Sequence, residues 1–301
     1  MRIIFSSISA PFFSEYLALI TGEKHVSWSQ VPLYRKKDSY LFLVGLYSPT
    51  HSFYQRISHF NKIIILFAGS DLLRLNKMKI TDRNRLFKQL KKDGVVFAVE
   101  SPEIYDRIKE MYNLKTEIIY LPSRFEFSKN PPDMPEKFSV GCYMPCCKDI
   151  KSDKRFFYGF DTIVKVVKEM PDVDFYFYHN KGGYIERSDE LEMKNFIGCT
   201  KSIKNMPKFL RNISCGLRLT DHDTYSMSAI EYNMAGRWFI NNYPMPYCDK
   251  ISHKAKAQEI VDKIIKVMNR GGNNIEGMVF YRSNHDKNVF YKKIKSVFLR
   301  T

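Results

Sequence analysis

No apolar run in this 301-residue chain is long enough to cross a bilayer. The longest, YLFLVGLY and IIILFAG, fall far short of the ~20 residues that a spanning helix needs. The opening stretch MRIIFSSISAPFF carries one basic residue, and serines interrupt its apolar run. It therefore reads as a first strand rather than an export signal. The expected location is the cytoplasm, with a peripheral position at the cytoplasmic membrane face also open. Metal-finger patterns are missing as well. Six cysteines are present, three of them in CYMPCC, but no second cysteine pair or finger-spaced histidine accompanies them. Ordinary reduced thiols are the reading that remains. No internal repeat or low-complexity tract occurs, which excludes solenoids and arrays. Acid is scarce: 32 Asp and Glu stand against 48 Lys and Arg, a net charge of +16. Such an excess draws a folded protein to nucleic acid, an anionic membrane face or a phosphorylated substrate; a merely solvated basic surface is the alternative.

What the chain does have is core-forming material. Hydrophobic residues make up 44% and aromatics 15%, which excludes disorder. The first half alternates short apolar strands (RIIFSS, YLFLVGLY, IIILFAGSD, VVFAVES, EIIYLPS) with helical stretches at 12–21, 82–92 and SPEIYDRIKEMYN. Three prolines in FSKNPPDMPEKF then mark a domain boundary. Beyond it the alternation restarts with the strands FSVGCYM, VDFYFYHN, CGLRLT and RWFINNY. The helices FDTIVKVVKEMP, MPKFLRNI, 226–236 and 253–268 lie between and after them. Repeated strand–helix–strand order implies parallel sheets covered on both faces. The expected fold is α/β: two tandem Rossmann-like, doubly wound domains facing a cleft. Residues 1–130 and 131–280 form the two domains, and a basic helix at 281–301 packs back on the first.

In such folds ligands bind at the carboxyl ends of the strands. DHDTYSMSAIEYNMAG, residues 221–236, sits at that edge. GLRLT delivers the chain there, an acidic loop turns, and a helix begins near Ser226. Free N–H groups and the dipole of its first turn can seat phosphate oxygens, with hydroxyls from Ser226 and Ser228. Asp223 precedes the helix, Glu231 lies about a turn and a half inside it, and Gly236 caps it. The bland alternative is that Ser226 caps the helix and both acids are solvated.

DTYSMSAIEYNMAGRWFI resembles the signature of retaining glycosyltransferases of the GT-B fold, family 4 in particular: Glu, seven residues, Glu, then Ala-Met-Ala-x-Gly. Asp223 falls on the first acid, as Asp instead of Glu, and Glu231 falls on the second. The resemblance implies a sugar transferred from a nucleoside diphosphate sugar with retention, Asp223 contacting the donor sugar and Glu231 the ribose. FSVGCYMPCCKDIKSDKRFFYGFD resembles the family's diphosphate loop; Tyr158 stands at its usual lysine, leaving Lys154 or Arg155 to supply the charge. NMPKFLRNISCGLRLT resembles the helix and strand that usually precede the acidic loop. ILFAGSDLL resembles a His-Gly-Ser-Asp stretch with Ala68 at the histidine, for which His51 is a substitute; a surface or helix-capping role is the alternative for His51. The implied donor set is Glu231, Lys154, Arg155, Ser226, Met227, Ser228, His222 and Tyr143. The resemblance also implies Asp223 and His51 as the catalytic residues. Gly69, Ser70, Asp71, Arg83 and Lys88 form the acceptor side.

Two Asp-x-Asp triplets, 172–174 and 221–223, match the metal motif of the other large glycosyltransferase fold. The first reads as a helix-to-strand turn and the second is used by the alignment above, so no cofactor is expected and a divalent metal is not required. The acceptor is expected to be a lipid-linked or surface glycan. The basic helix 82–92, the run YRKKD, and eleven Lys and Arg against four acids after Ile251 suit an anionic membrane surface. They also suit DNA, as in phage-type enzymes that glycosylate modified bases. An inactive, nucleotide-binding relative of the fold is the remaining alternative.

Overall fold

A computed structural model describes residues 2–7, 11–34, 39–46, 51–57, 60–67, 71, 75–144, 158–178, 193–200, 203–220 and 225–300. The chain divides into two compact units. One is Met1–Arg124 together with Asn284–Thr301; the other is Phe125–Ser283. The unit boundary thus precedes the proline-rich segment, which belongs wholly to the second unit.

The first unit holds a six-stranded, all-parallel sheet: β1 (Arg2–Ser7), β2 (Lys24–His25), β3 (Ser39–Val44), β4 (Lys62–Leu66), β5 (Val95–Val99) and β6 (Glu117–Ile118), in the order β2-β1-β3-β4-β5-β6. Both faces are buried, which explains the continuous apolar runs. Strand alternation sends Ile4, Leu41, Leu43, Ile63 and Ile65 to one core, and Ile3, Phe5, Phe42 and Ile64 to the other. The second core is covered by the Lys287–Leu299 helix. Its Phe290, Ile294, Val297 and Phe298 recur at helical spacing, and Asp286 caps it by accepting from the Asn288 and Val289 N–H groups. Each buried phenylalanine contributes about 1.5–3 kcal/mol of transfer free energy.

The second unit repeats the plan with β7 (Ser139–Tyr143), β8 (Asp174–Tyr178), β9 (Phe196–Thr200), β10 (Cys215–Arg218), β11 (Trp238–Asn241) and β12 (Asp249–Lys250), in the order β12-β11-β10-β7-β8-β9. All pairs are parallel. The Phe160–Glu169 and Ala257–Arg270 helices supply Ile163, Val166, Val167, Ile260, Ile264 and Val267 to its core. Arg237 is fully buried and ties the proline-rich segment to this unit. Its guanidinium donates to the carbonyls of Leu210 (2.9 Å) and Asp133 (2.7 Å) and to Asn273 Oδ1 (2.8 Å).

Several boundaries differ from the sequence expectation. EIIYLPS forms only the two-residue β6, at the edge of the sheet. The helix expected at 253–268 is Ala257–Arg270, and the one expected at 82–92 begins at Ile80. The edge strands β2 and β12, the strand β9 and the Ile275–Asn284 helix carry little periodicity and were not anticipated. Among the described residues, no helix is long and apolar enough to cross a membrane.

Candidate donor-binding site

The strand order of the second unit fixes where a ligand belongs. From β7 the chain winds outward through β8 and β9, then returns to β10 on the other side of β7 and winds outward again through β11 and β12. The reversal opens a crevice at the carboxyl ends of β7 and β10, the switch point at which doubly wound sheets bind nucleotides. Tyr143 ends β7, Arg218 ends β10, and the Met227–Met234 helix starts shortly after.

That helix is held against the sheet by a pair of glycines. Gly141 on β7 and Gly216 on β10 are register partners, and Tyr232 lies over both. A Cβ at residue 141 would sit 2.0 Å from the Tyr232 hydroxyl oxygen, and one at 216 would sit 2.7 Å from its Cδ1. Only glycine at both positions lets the helix approach so closely. The opposite end is fixed by Gly236, whose φ of 75° is left-handed and whose N–H donates to Asn233 (2.8 Å). At the start, Ser226 is the N-cap, and its Oγ accepts from the Ala229 N–H at 3.3 Å. Capping therefore occupies one lone pair of Ser226, as the bland reading expected.

Glu231 is the fifth residue of this helix and is 2% exposed. A solvated surface carboxylate does not describe it. Its charge reaches the hydroxyl of Tyr178, at the end of β8, and so does that of Arg218. Burial pushes the Tyr178 phenol well up. The neighbouring Ser228 and Tyr232 hydroxyls temper the rise without meeting strict hydrogen-bond geometry, Glu231 adds to it and Arg218 opposes it. One phenol thus senses a buried carboxylate from the helix and a guanidinium from the adjacent strand end.

Arg218 is the group that sequence reasoning missed. Its guanidinium carbon lies 4.8 Å from the Tyr143 ring centroid and 5.6 Å from that of Tyr158, and the two rings are 5.9 Å apart. Two aromatic faces therefore hold the cation at the crevice. The signal was present in GLRLT: a lone arginine closing an apolar strand at its carboxyl end. Just beyond, Asn242 clamps the chain at Thr220. Its side chain accepts from the Thr220 N–H (3.1 Å) and donates to the Thr220 carbonyl (2.7 Å).

The other expected site residues divide by location. Tyr143, Ser226, Met227, Ser228 and Glu231 come together at the crevice and helix described above. His222, Asp223, Lys154, Arg155, Gly69 and Ser70 lie outside the described residues, as does the side chain of His51, which opens the His51–Ile57 helix. In the first unit Asp71 is fully buried. Arg83 is committed within that unit: it donates to the Leu75 carbonyl (3.3 Å) and lies 4.5 Å from the Tyr112 ring. Lys88 is exposed on the outer face of the Ile80–Lys92 helix, whose Leu86, Phe87 and Leu90 point inward. Among the described residues, no three His, Cys, Asp or Glu side chains converge as metal ligands.

Solved structures carry the same architecture. A glycosyltransferase from Rickettsia africae ESF-5 matches with a TM-score of 0.68 at 10% identity, over 99% of this chain and 97% of that one. The chain has the GT-B fold. Anabaena Alr3699/HepE, solved in complex with UDP and glucose, matches at 0.61 and 11% identity over 99% of both chains. TarM shares the GT-B fold at 0.59 and 13% identity, but this chain spans only 58% of its length. No known family profile and no curated protein sequence matches the chain.

Proposed function

We propose that the chain is a GT-B glycosyltransferase that moves a sugar from a nucleoside diphosphate sugar to a glycan acceptor, lipid-linked or at a surface, with retention at the anomeric carbon. The observation that carries this reading is the placement of Glu231 and Arg218. A buried carboxylate stands on the switch-point helix, and a ring-held guanidinium ends the neighbouring strand. The Glu231 carboxylate accepts hydrogen bonds from the ribose hydroxyls, where low polarity strengthens them. Arg218 and the first turn of the Met227–Met234 helix face the diphosphate. When the bond between the sugar's C1 and the β-phosphate oxygen breaks, the electron pair stays on the phosphate. Preorganised positive charge stabilises that developing anion most effectively. Asp223 orients the donor sugar, with Lys154 or Arg155 adding charge from the loop after β7. HepE, solved with UDP and glucose, supports a nucleotide-sugar donor.

Retention rests on the resemblance of the Asp223–Glu231 spacing to the retaining signature, and the acceptor class on the net charge of +16. The test is sugar transfer, or donor hydrolysis, by the wild type and by Asp223→Ala and Glu231→Ala. The reading expects both variants to lose most of the turnover; unchanged turnover in both would overturn it.

A further inference from the structure

The second unit carries another concavity, at the opposite end of its sheet. A cavity of about 950 Å³ is lined by the 126–133 segment, by Asn205, Lys208 and Arg211, and by Ala235 and Arg282. Asn205–Arg211 leads into β10, Ala235 leads into β11 and Asp133 leads towards β7. The strands are parallel, so the cavity lies at their amino-terminal ends, away from the switch-point crevice at their carboxyl ends.

Its charge is unbalanced. Lys129, Lys208, Arg211 and Arg282 line it, against Glu126 and Asp133. Arg282 is half-buried, its Nε and Nη1 donate to the carbonyls of Met234 and Lys129, and its Nη2 is closed to solvent. Burial lowers its affinity for its proton. Four cations around one cavity against two carboxylates leave an excess of positive charge, and an anion from outside would lower its cost. The volume far exceeds one phosphate group, and the exposed Lys129, Lys208 and Arg211 spread charge over the opening.

We propose that this cavity is a second binding site, for an oligoanion that carries two or more phosphate or carboxylate groups along its chain. Lys129, Lys208 and Arg211 hold the anionic groups, Asn130 and Asn205 offer amide donors beside them, and Arg282 adds its positive charge to the wall. The site is separate from the nucleotide crevice and does not depend on the reading given for it.

The experiment is calorimetric titration of the 301-residue chain with tripolyphosphate and with an oligogalacturonate, using a neutral maltohexaose as control. Lys208→Glu/Arg211→Glu replaces two exposed residues and is expected to fold normally, which a melting curve checks. Arg107→Glu/Lys109→Glu reverses two exposed charges on the first unit as a control for overall charge. The expected result is binding of at least one anionic probe and none of maltohexaose. The first double variant should weaken that binding tenfold or more, the second less than threefold. Saturating UDP should leave it unchanged. Binding of neither probe, equal weakening by both double variants, or displacement by UDP would each overturn the proposal. Binding of tripolyphosphate alone assigns the site to phosphate chains, and binding of oligogalacturonate assigns it to acidic glycans as well.

Discussion

The Tyr232 hydroxyl occupies the space that any side chain on residue 141 would need, 2.0 Å from the ideal Cβ position. Through this contact the β7 backbone sets how deeply the Met227–Met234 helix sits, and hence where Glu231 lies.

Gly141→Ala should therefore cost about 1–3 kcal/mol, the usual range for overpacking a filled core. Urea denaturation reads that loss directly. Tyr232→Phe removes the closest atom, leaving ring carbon Cζ at 3.2 Å from the added methyl position. The double variant should thus recover part of the lost stability. Tyr232→Phe alone should be close to neutral, since the hydroxyl lacks strict hydrogen-bond geometry. Strictly additive effects would show that the two residues do not compete for this space.

Glu231→Ala should weaken UDP binding by roughly tenfold to a hundredfold, the value of hydrogen bonds to a charged acceptor. The same variant should lose the preference for UDP over its 2′,3′-dideoxy analogue. A retained preference would place the ribose elsewhere.

Arg218→Ala should act on the phosphates alone. Affinity for UDP is expected to fall tenfold or more while affinity for uridine stays the same. Arg218→Lys should restore only part of the loss, because lysine keeps the charge but not the planar group that stacks on Tyr143 and Tyr158. Parallel losses for UDP and uridine would reduce Arg218 to a packing role.

His285 gives the first unit a pH dependence. It is 1% exposed, its Nδ1–H donates to the Leu121 carbonyl at 2.6 Å, and burial lowers its pKa to about 4. Because the folded pKa lies below the unfolded value, the unfolded chain binds the proton more readily between about pH 6.5 and 4. Its contribution is therefore fully present above the unfolded pKa and falls as pH drops through that window, by on the order of 3 kcal/mol. Urea midpoints measured from pH 7 to 4.5 should fall more steeply for the wild type than for His285→Gln. Equal slopes would contradict this.

Local pattern made much of the fold legible. Apolar runs bounded by turns marked the central strands, and the 3.6-residue spacing of Ile260, Ile264 and Val267 marked a core helix. Two-residue edge strands leave no such trace. Nor does the facing of Gly141 and Gly216, which lie 75 residues apart and meet only through the sheet register. The Met227–Met234 helix was legible because Ser226, Glu231 and Gly236 carry local signals of cap, motif and stop. Arg218 was not, because its meaning depends on which strand end faces Tyr143. Arg237 and Arg282 were hidden for a related reason: an arginine tied to backbone carbonyls looks like any surface arginine until its acceptors are known.

The central claim is that the crevice between β7 and β10 binds a nucleoside diphosphate sugar through Glu231. Its most direct measurement is thermal shift of the wild type and Glu231→Ala against a panel of UDP-, GDP-, ADP- and CDP-sugars. The account predicts that at least one nucleotide sugar raises the wild-type melting temperature and that Glu231→Ala, still folded, loses most of that rise. A wild type stabilised by none of the panel, or a variant stabilised to the same degree, would contradict it.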